Sequence, residues 1–197
     1  MWSEILLIIC SLISIGILLF YSGKNYLHLR CFLSISLICI IASISTSFFF
    51  SEFETEIKEW TKVTGISFAL VVIAILIREM KPTYVRYPVI FSYVPLAIIA
   101  VYPFISDAEI LKNLLNQLLQ GGAIAVSLLL YVSLKDKLEK HYLFIIGMLL
   151  FATAFGFYWF GGEYSSEMMI WTWQLPMAAG IILTGMQSSE LFTRLNP

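Results

Sequence analysis

Seven apolar stretches follow one another along this chain, and the short polar segments between them alternate in charge. Basic segments come after the first, third and fifth stretches: Lys24 and Arg30; Arg78, Lys81 and Arg86; Lys135, Lys137 and Lys140. The other segments are acidic or neutral: Glu52, Glu54, Glu56 and Glu59 with Lys58 and Lys62; Asp107 and Glu109 with Lys112; Glu163 and Glu167. Of the 12 Lys and Arg, only Lys58, Lys62 and Lys112 fall in the acidic set; of the 13 Asp and Glu, only Glu79, Asp136, Glu139 and Glu190 fall with the bases. Lys and Arg are retained on the cytoplasmic side of a membrane. The pattern predicts an all-α polytopic membrane protein of seven transmembrane helices, N-terminus outside and C-terminus cytoplasmic. Its expected location is the plasma membrane, or the inner membrane in a bacterium.

Composition fits this reading. The chain is 59% hydrophobic and 13% charged, with a mean hydropathy of +0.87, whereas a soluble domain carries about 25% charge. The predicted spans cover residues 4–22, 29–50, 60–78, 87–105, 111–133, 142–160 and 168–189. Each is about 20 residues, enough to cross a ~30 Å hydrocarbon core at about 1.5 Å per residue. Barrel strands are about ten residues long and alternate, so they do not give runs like these. The polar segments leave no room for a soluble domain, and residues 1–197 read as one transmembrane domain. No base precedes the first span, which reads as a reverse anchor rather than a cleaved signal peptide. The net charge of −1 offers nothing to nucleic acid.

The aromatic belts agree. All five Trp (Trp2, Trp60, Trp159, Trp171 and Trp173) fall at outer ends, and Tyr21, Tyr26, Tyr84, Tyr87, Tyr131 and Tyr142 fall at inner ends. Amphipathic rings anchor at headgroup level. Pro95 and Pro176 lie inside spans and are expected to bend them. Gly121–Gly122 and the small residues at 178–180 allow helices to approach closely. Cys10 and Cys39 sit at different depths, so no disulfide is expected.

Polar residues inside the spans collect in the outer half. Span five carries Asn113, Asn116, Gln117 and Gln120, then Ser127, at spacings that recur on one helix face. Gln174 of span seven lies at a similar depth. Span two ends with Ser43, Ser45, Thr46 and Ser47, span three opens with Thr61, Thr64 and Ser67, and span six adds Thr153. The inner half is drier: residues 70–77 and 143–150 carry no polar side chain. An unsatisfied amide in hydrocarbon costs several kcal/mol, on the order of a lost hydrogen bond or more, so these carboxamides need partners. Two readings compete. In one they glue helices together, at about 0.6 kcal/mol per hydrogen bond. In the other Asn116, Gln117, Gln120 and Gln174, with hydroxyls such as Ser43, Ser47, Thr64 and Ser67, line a hydrated outer recess for a ligand or partner, above an apolar floor.

What is missing narrows the chemistry. No Asp, Glu, Lys or Arg lies mid-span, the usual mark of proton relays and ion coupling. Span seven has no Lys for a Schiff base, and His28 and His141 lie near the cytoplasmic surface rather than within helices. The acidic run Glu52, Glu54, Glu56 and Glu59 reads as a solvated loop rather than a cation site. No catalytic set, metal site or cofactor is expected.

In outline the chain resembles seven-helix receptors, the membrane sensor modules of bacterial kinases, and the seven-helix sugar carriers of the SWEET type. The resemblance covers topology alone. The receptor Asp-Arg-Tyr signal is missing, and so is the carrier Pro-Gln dipeptide; the nearest string is Gln174-Leu175-Pro176. The expectation is a non-catalytic membrane subunit or sensor-like module, in contact with membrane lipids and a protein partner and not with nucleic acid. The alternative is a carrier for a small uncharged solute, with amides and hydroxyls coordinating it and Pro95, Pro176 and Gly121–Gly122 serving alternating access.

Overall fold

The structure is a computed structural model of the chain. It describes residues 2–20, 27–49, 54–80, 88–105, 108–133, 142–161 and 167–194. These form seven α-helices: α1 Trp2–Phe20, α2 Leu27–Phe49, α3 Glu54–Met80, α4 Val94–Ile105, α5 Glu109–Ser133, α6 Tyr142–Gly161 and α7 Glu167–Arg194. A 3₁₀ segment, Val89–Tyr93, leads into α4. Three stretches of described helix are long and apolar enough to cross a membrane: Trp2–Phe20, Leu27–Thr46 and Glu56–Glu79. Val89–Ile105 and Tyr142–Tyr158 are apolar but shorter. Such helices are compatible with a membrane location.

Several boundaries differ from the sequence expectation. α3 begins at Glu54, so Glu54, Glu56 and Glu59 are helical rather than part of a loop; Glu52 lies outside the described residues. Acidic side chains at a helix N-terminus complement its dipole. α2 begins at Leu27, two residues before the expected span, and Arg30, grouped with the first basic segment, lies in its first turns and is only 1% exposed. Pro95 does not bend a helix from within. It is the second residue of α4, where its missing N–H costs nothing. The chain before it closes as a 3₁₀ segment, with the Phe91 N–H donating to the Pro88 carbonyl at 3.1 Å. Pro176 does lie inside α7, and Pro103 inside α4.

The chain packs as two compact units, residues 31–134 and the two ends, 1–30 with 135–197. In the unit formed by the two ends, α1 and α6 each pack on α7. Ser3, Leu7, Cys10, Ser11, Ser14 and Leu18 form the buried stripe of α1, at spacings of three and four. Small and hydroxylated residues there let the helices approach. The Ser14 hydroxyl donates to the Ile181 carbonyl at 3.0 Å. A Cβ at Gly185 would lie 2.8 Å from Ser14 Oγ and 2.9 Å from Ser14 Cβ. A Cβ at Gly147 would lie 2.7 Å from Thr184 Cγ2, and one at Gly180 would lie 3.1 Å from the Gly147 carbonyl. This is the close backbone approach that small residues permit between membrane helices. Gly185→Ala should therefore cost about 1–3 kcal/mol, the usual range for overpacking, read as a lower unfolding midpoint in detergent. An unchanged midpoint would mean that α1 and α7 are not packed this closely.

In the other unit α3 is central and packs on α4 and α5. Its core is Val63, Tyr102 and Leu119, surrounded by Ile66, Leu70, Ile98, Ile105 and Leu115. Gly65 lets α2 come close to α3: a Cβ there would lie 3.1 Å from Cys39 Cβ. Phe32 of α2 packs on Phe68 and edge-on against Tyr93.

Candidate functional site

α5 carries the carboxamide stripe, and the structure divides it. Gln120 is 5% exposed and Ser127 is fully buried; Asn116 is half-buried; Asn113 and Gln117 are exposed. Helix geometry explains the division, because successive residues turn by about 100° and Asn116 and Gln117 cannot share one narrow face. Within the unit of α2 to α5, Gln117 does not share the buried face of Gln120.

The hydroxyls expected to join them behave differently. Ser127 Oγ donates to the Ala123 carbonyl at 2.7 Å, Thr153 Oγ1 to Leu149 at 2.8 Å and Thr46 Oγ1 to Ser43 at 2.8 Å. Each is satisfied by its own helix and needs nothing across a recess. Thr64 and Ser43 are half-buried, and the side chain of Ser47 lies outside the described residues. Ser67 is fully buried and its Oγ has no hydrogen-bond partner. Gln174 belongs to the unit of α1, α6 and α7; it is 3% exposed and its Oε1 has no partner.

Beside Asn116 lies a cluster that the sequence reading did not assemble. Lys112, one turn before Asn116, places Nζ 2.7 Å from Glu59 Oε1 of α3. The Tyr102 hydroxyl of α4 donates to Glu59 Oε2 at 3.3 Å. The Asn116 side chain lies beside the same tyrosine hydroxyl. Trp60 packs edge-on against Tyr102, with ring centroids 5.0 Å apart. The ion pair is largely shielded, with the Lys112 and Glu59 side chains 17% and 25% exposed. One carboxylate thus joins three helices. Two signals pointed to it. Glu59 and Lys112 are opposite charges at the starts of α3 and α5, and Tyr102 is a tyrosine at the end of the fourth span where the belt pattern places tryptophan.

The cluster leaves one valence open. Asn116 Oδ1 is buried and has no hydrogen-bond partner. A buried amide oxygen without a donor is costly, and it sits beside a fixed carboxylate, a phenol and an ammonium. The arrangement can hold a hydrogen-bond donor; it contains no nucleophile paired with a base. Against known proteins, the chain matches no family model, no curated protein and no solved structure.

Proposed function

We propose that this chain is a seven-span membrane subunit or sensor-like module, with its N-terminus outside, that binds a ligand or a partner's segment through its outer polar half and catalyses no reaction. Placed by the charge pattern, the Glu59–Lys112–Tyr102–Asn116 cluster lies at the outer boundary of the bilayer. The observation that carries the reading is the buried, unpartnered Asn116 Oδ1 beside it. Amides that serve only as helix glue end paired; this one is left able to accept. Gln174 Oε1 supports the reading independently from the other unit.

Such an acceptor suits binding without coupled transport, since no mid-span charge ties movement to an ion gradient. Asn116→Leu and Gln174→Leu should each weaken binding of whatever co-purifies in mild detergent, by roughly tenfold for one lost hydrogen bond to a buried group, while membrane insertion stays normal. Partner retention on a tagged protein, quantified by mass spectrometry, reads this out. Solute uptake by proteoliposomes holding the chain alone, abolished by the same substitutions, would establish the carrier in its place.

A further inference from the structure

The seam between α1 and α7 lies within one unit, and two polar side chains are enclosed in it. On α7, Gln174, Ala178, Ile181 and Gly185 follow one another at spacings of four, three and four, so they share one helix face. Ser14 identifies that face as the one under α1. Its hydroxyl donates to the Ile181 carbonyl at 3.0 Å, and it stands against Gly185. Gly180, which meets Gly147 and Phe151 of α6, lies on another side of α7. Gln174 is 3% exposed, and its Oε1 has no hydrogen-bond partner among the described residues. Ser11 precedes Ser14 by one turn on the buried stripe of α1. It is fully buried, and its Oγ has no partner among the described residues either. A buried polar atom left unbonded carries its whole desolvation cost, and a membrane interior supplies no solvent to relieve it. Folded proteins meet that cost with ordered water, each molecule making about three hydrogen bonds.

We propose that this seam is a hydration site, with two water molecules held in file between Ser11 Oγ and Gln174 Oε1. The proposal rests on the seven-span reading, in which α1 and α7, the first and last spans, run in the same direction. The Ser14–Ile181 contact then sets their register. Ser11 stands three residues before Ser14, and Gln174 seven before Ile181. The difference of four residues is about 6 Å along the axis at about 1.5 Å per residue. Two waters bridge such a gap through three O–H···O links of about 2.8 Å each. Ala178, three residues before Ile181, comes level with Ser11, so neither helix fills the seam there with a large side chain. The Ser11 hydroxyl donates to the first water, the first to the second, and the second to the Gln174 carbonyl oxygen, which can only accept. The site needs no other ligand. A ligand that brings its own donor to Gln174 displaces the water nearest it.

The test uses the full chain in lipid bilayers, with its glutamine side-chain amides labelled with nitrogen-15. Water-edited solid-state NMR follows magnetisation from water into each amide, and the Gln174 signal is the one that Gln174→Met removes. Water should reach the Gln174 amide at the rate of direct contact. Ser11→Ala should slow that transfer severalfold, because the file loses its inner anchor. Ala178→Val, which narrows the seam and keeps both polar groups, should slow it too. A Gln174 amide that stays dry in the unaltered chain overturns the proposal. Transfer that neither substitution changes also overturns it, since the water at Gln174 would then owe nothing to Ser11. Both results are read without a co-purifying partner, so either failure leaves partner binding to its own test.

Discussion

Lys112→Leu should destabilise the unit of α2 to α5 by about 2–3 kcal/mol, between the cost of losing an exposed ion pair and that of breaking a fully buried one. The charge pair is 2.7 Å apart and largely shielded. Removing the ammonium strands the Glu59 carboxylate among Tyr102, Trp60 and Asn116, with one neutral donor in place of a cation. The informative variant is the double substitution. Glu59→Leu with Lys112→Leu removes both charges, so neither is left uncompensated, and apolar replacement of a shielded pair is often close to neutral. The double variant should therefore be more stable than Lys112→Leu alone. Unfolding by denaturing detergent, followed by the fluorescence of Trp60 and its neighbours, reads all variants on one scale. Additive losses, with the double variant the least stable of all, would show that the two residues act independently and that the cluster does not hold α3 to α5.

The same cluster shows where sequence reading stops. Continuous apolar runs announce helices on their own, because hydrocarbon leaves the backbone no other way to satisfy itself, and all seven helices overlap the expected stretches. Their ends are less legible. The edge of apolarity sets the expected bounds of α2 and α3, yet the helices run on through Leu27 and His28 and through Glu54–Glu59 because hydrogen bonding continues into the polar flank. The fourth stretch is expected to bend at Pro95; Pro95 instead marks a start, and the residues before it wind as 3₁₀. For the site, spacing identified α5 as the polar helix but could not say which amides turn inward. Asn116 and Gln117 differ by one residue and by about 100° of rotation, and only the packing of Leu115 and Leu119 against Tyr102 decides between them. Hydroxyls invite overcounting for a related reason. Thr46, Ser127 and Thr153 satisfy themselves on carbonyls three or four residues back, which composition does not reveal. Glu59 and Tyr102 are 43 residues apart, and their meeting is a tertiary fact with only a faint local trace.

Impermeant maleimide applied to intact cells should label Glu54→Cys and Glu163→Cys in the Cys-free chain, and should label Lys81→Cys and Lys137→Cys only after permeabilisation. The contrast is all-or-none, the largest effect expected of any change in this protein. Lys81, Lys137 and Glu163 lie outside the described residues, and Glu54 is the first residue of α3. The warrant is the division of Lys and Arg between the two sides, with only Lys58, Lys62 and Lys112 on the acidic one. Those exceptions strengthen the case at one position, since Lys112 is held 2.7 Å from Glu59 and its charge is compensated by the acidic flank it joins. Everything proposed for the outer half depends on this orientation. With Glu54 outside, the start of α3 puts Glu59 and Trp60 at the outer headgroups, and the open oxygen of Asn116 faces what arrives from that side. Labelling of Lys137→Cys but not of Glu54→Cys in intact cells would invert the chain. The cluster would then meet the cytoplasm, and an extracellular ligand would be ruled out in favour of a cytoplasmic one.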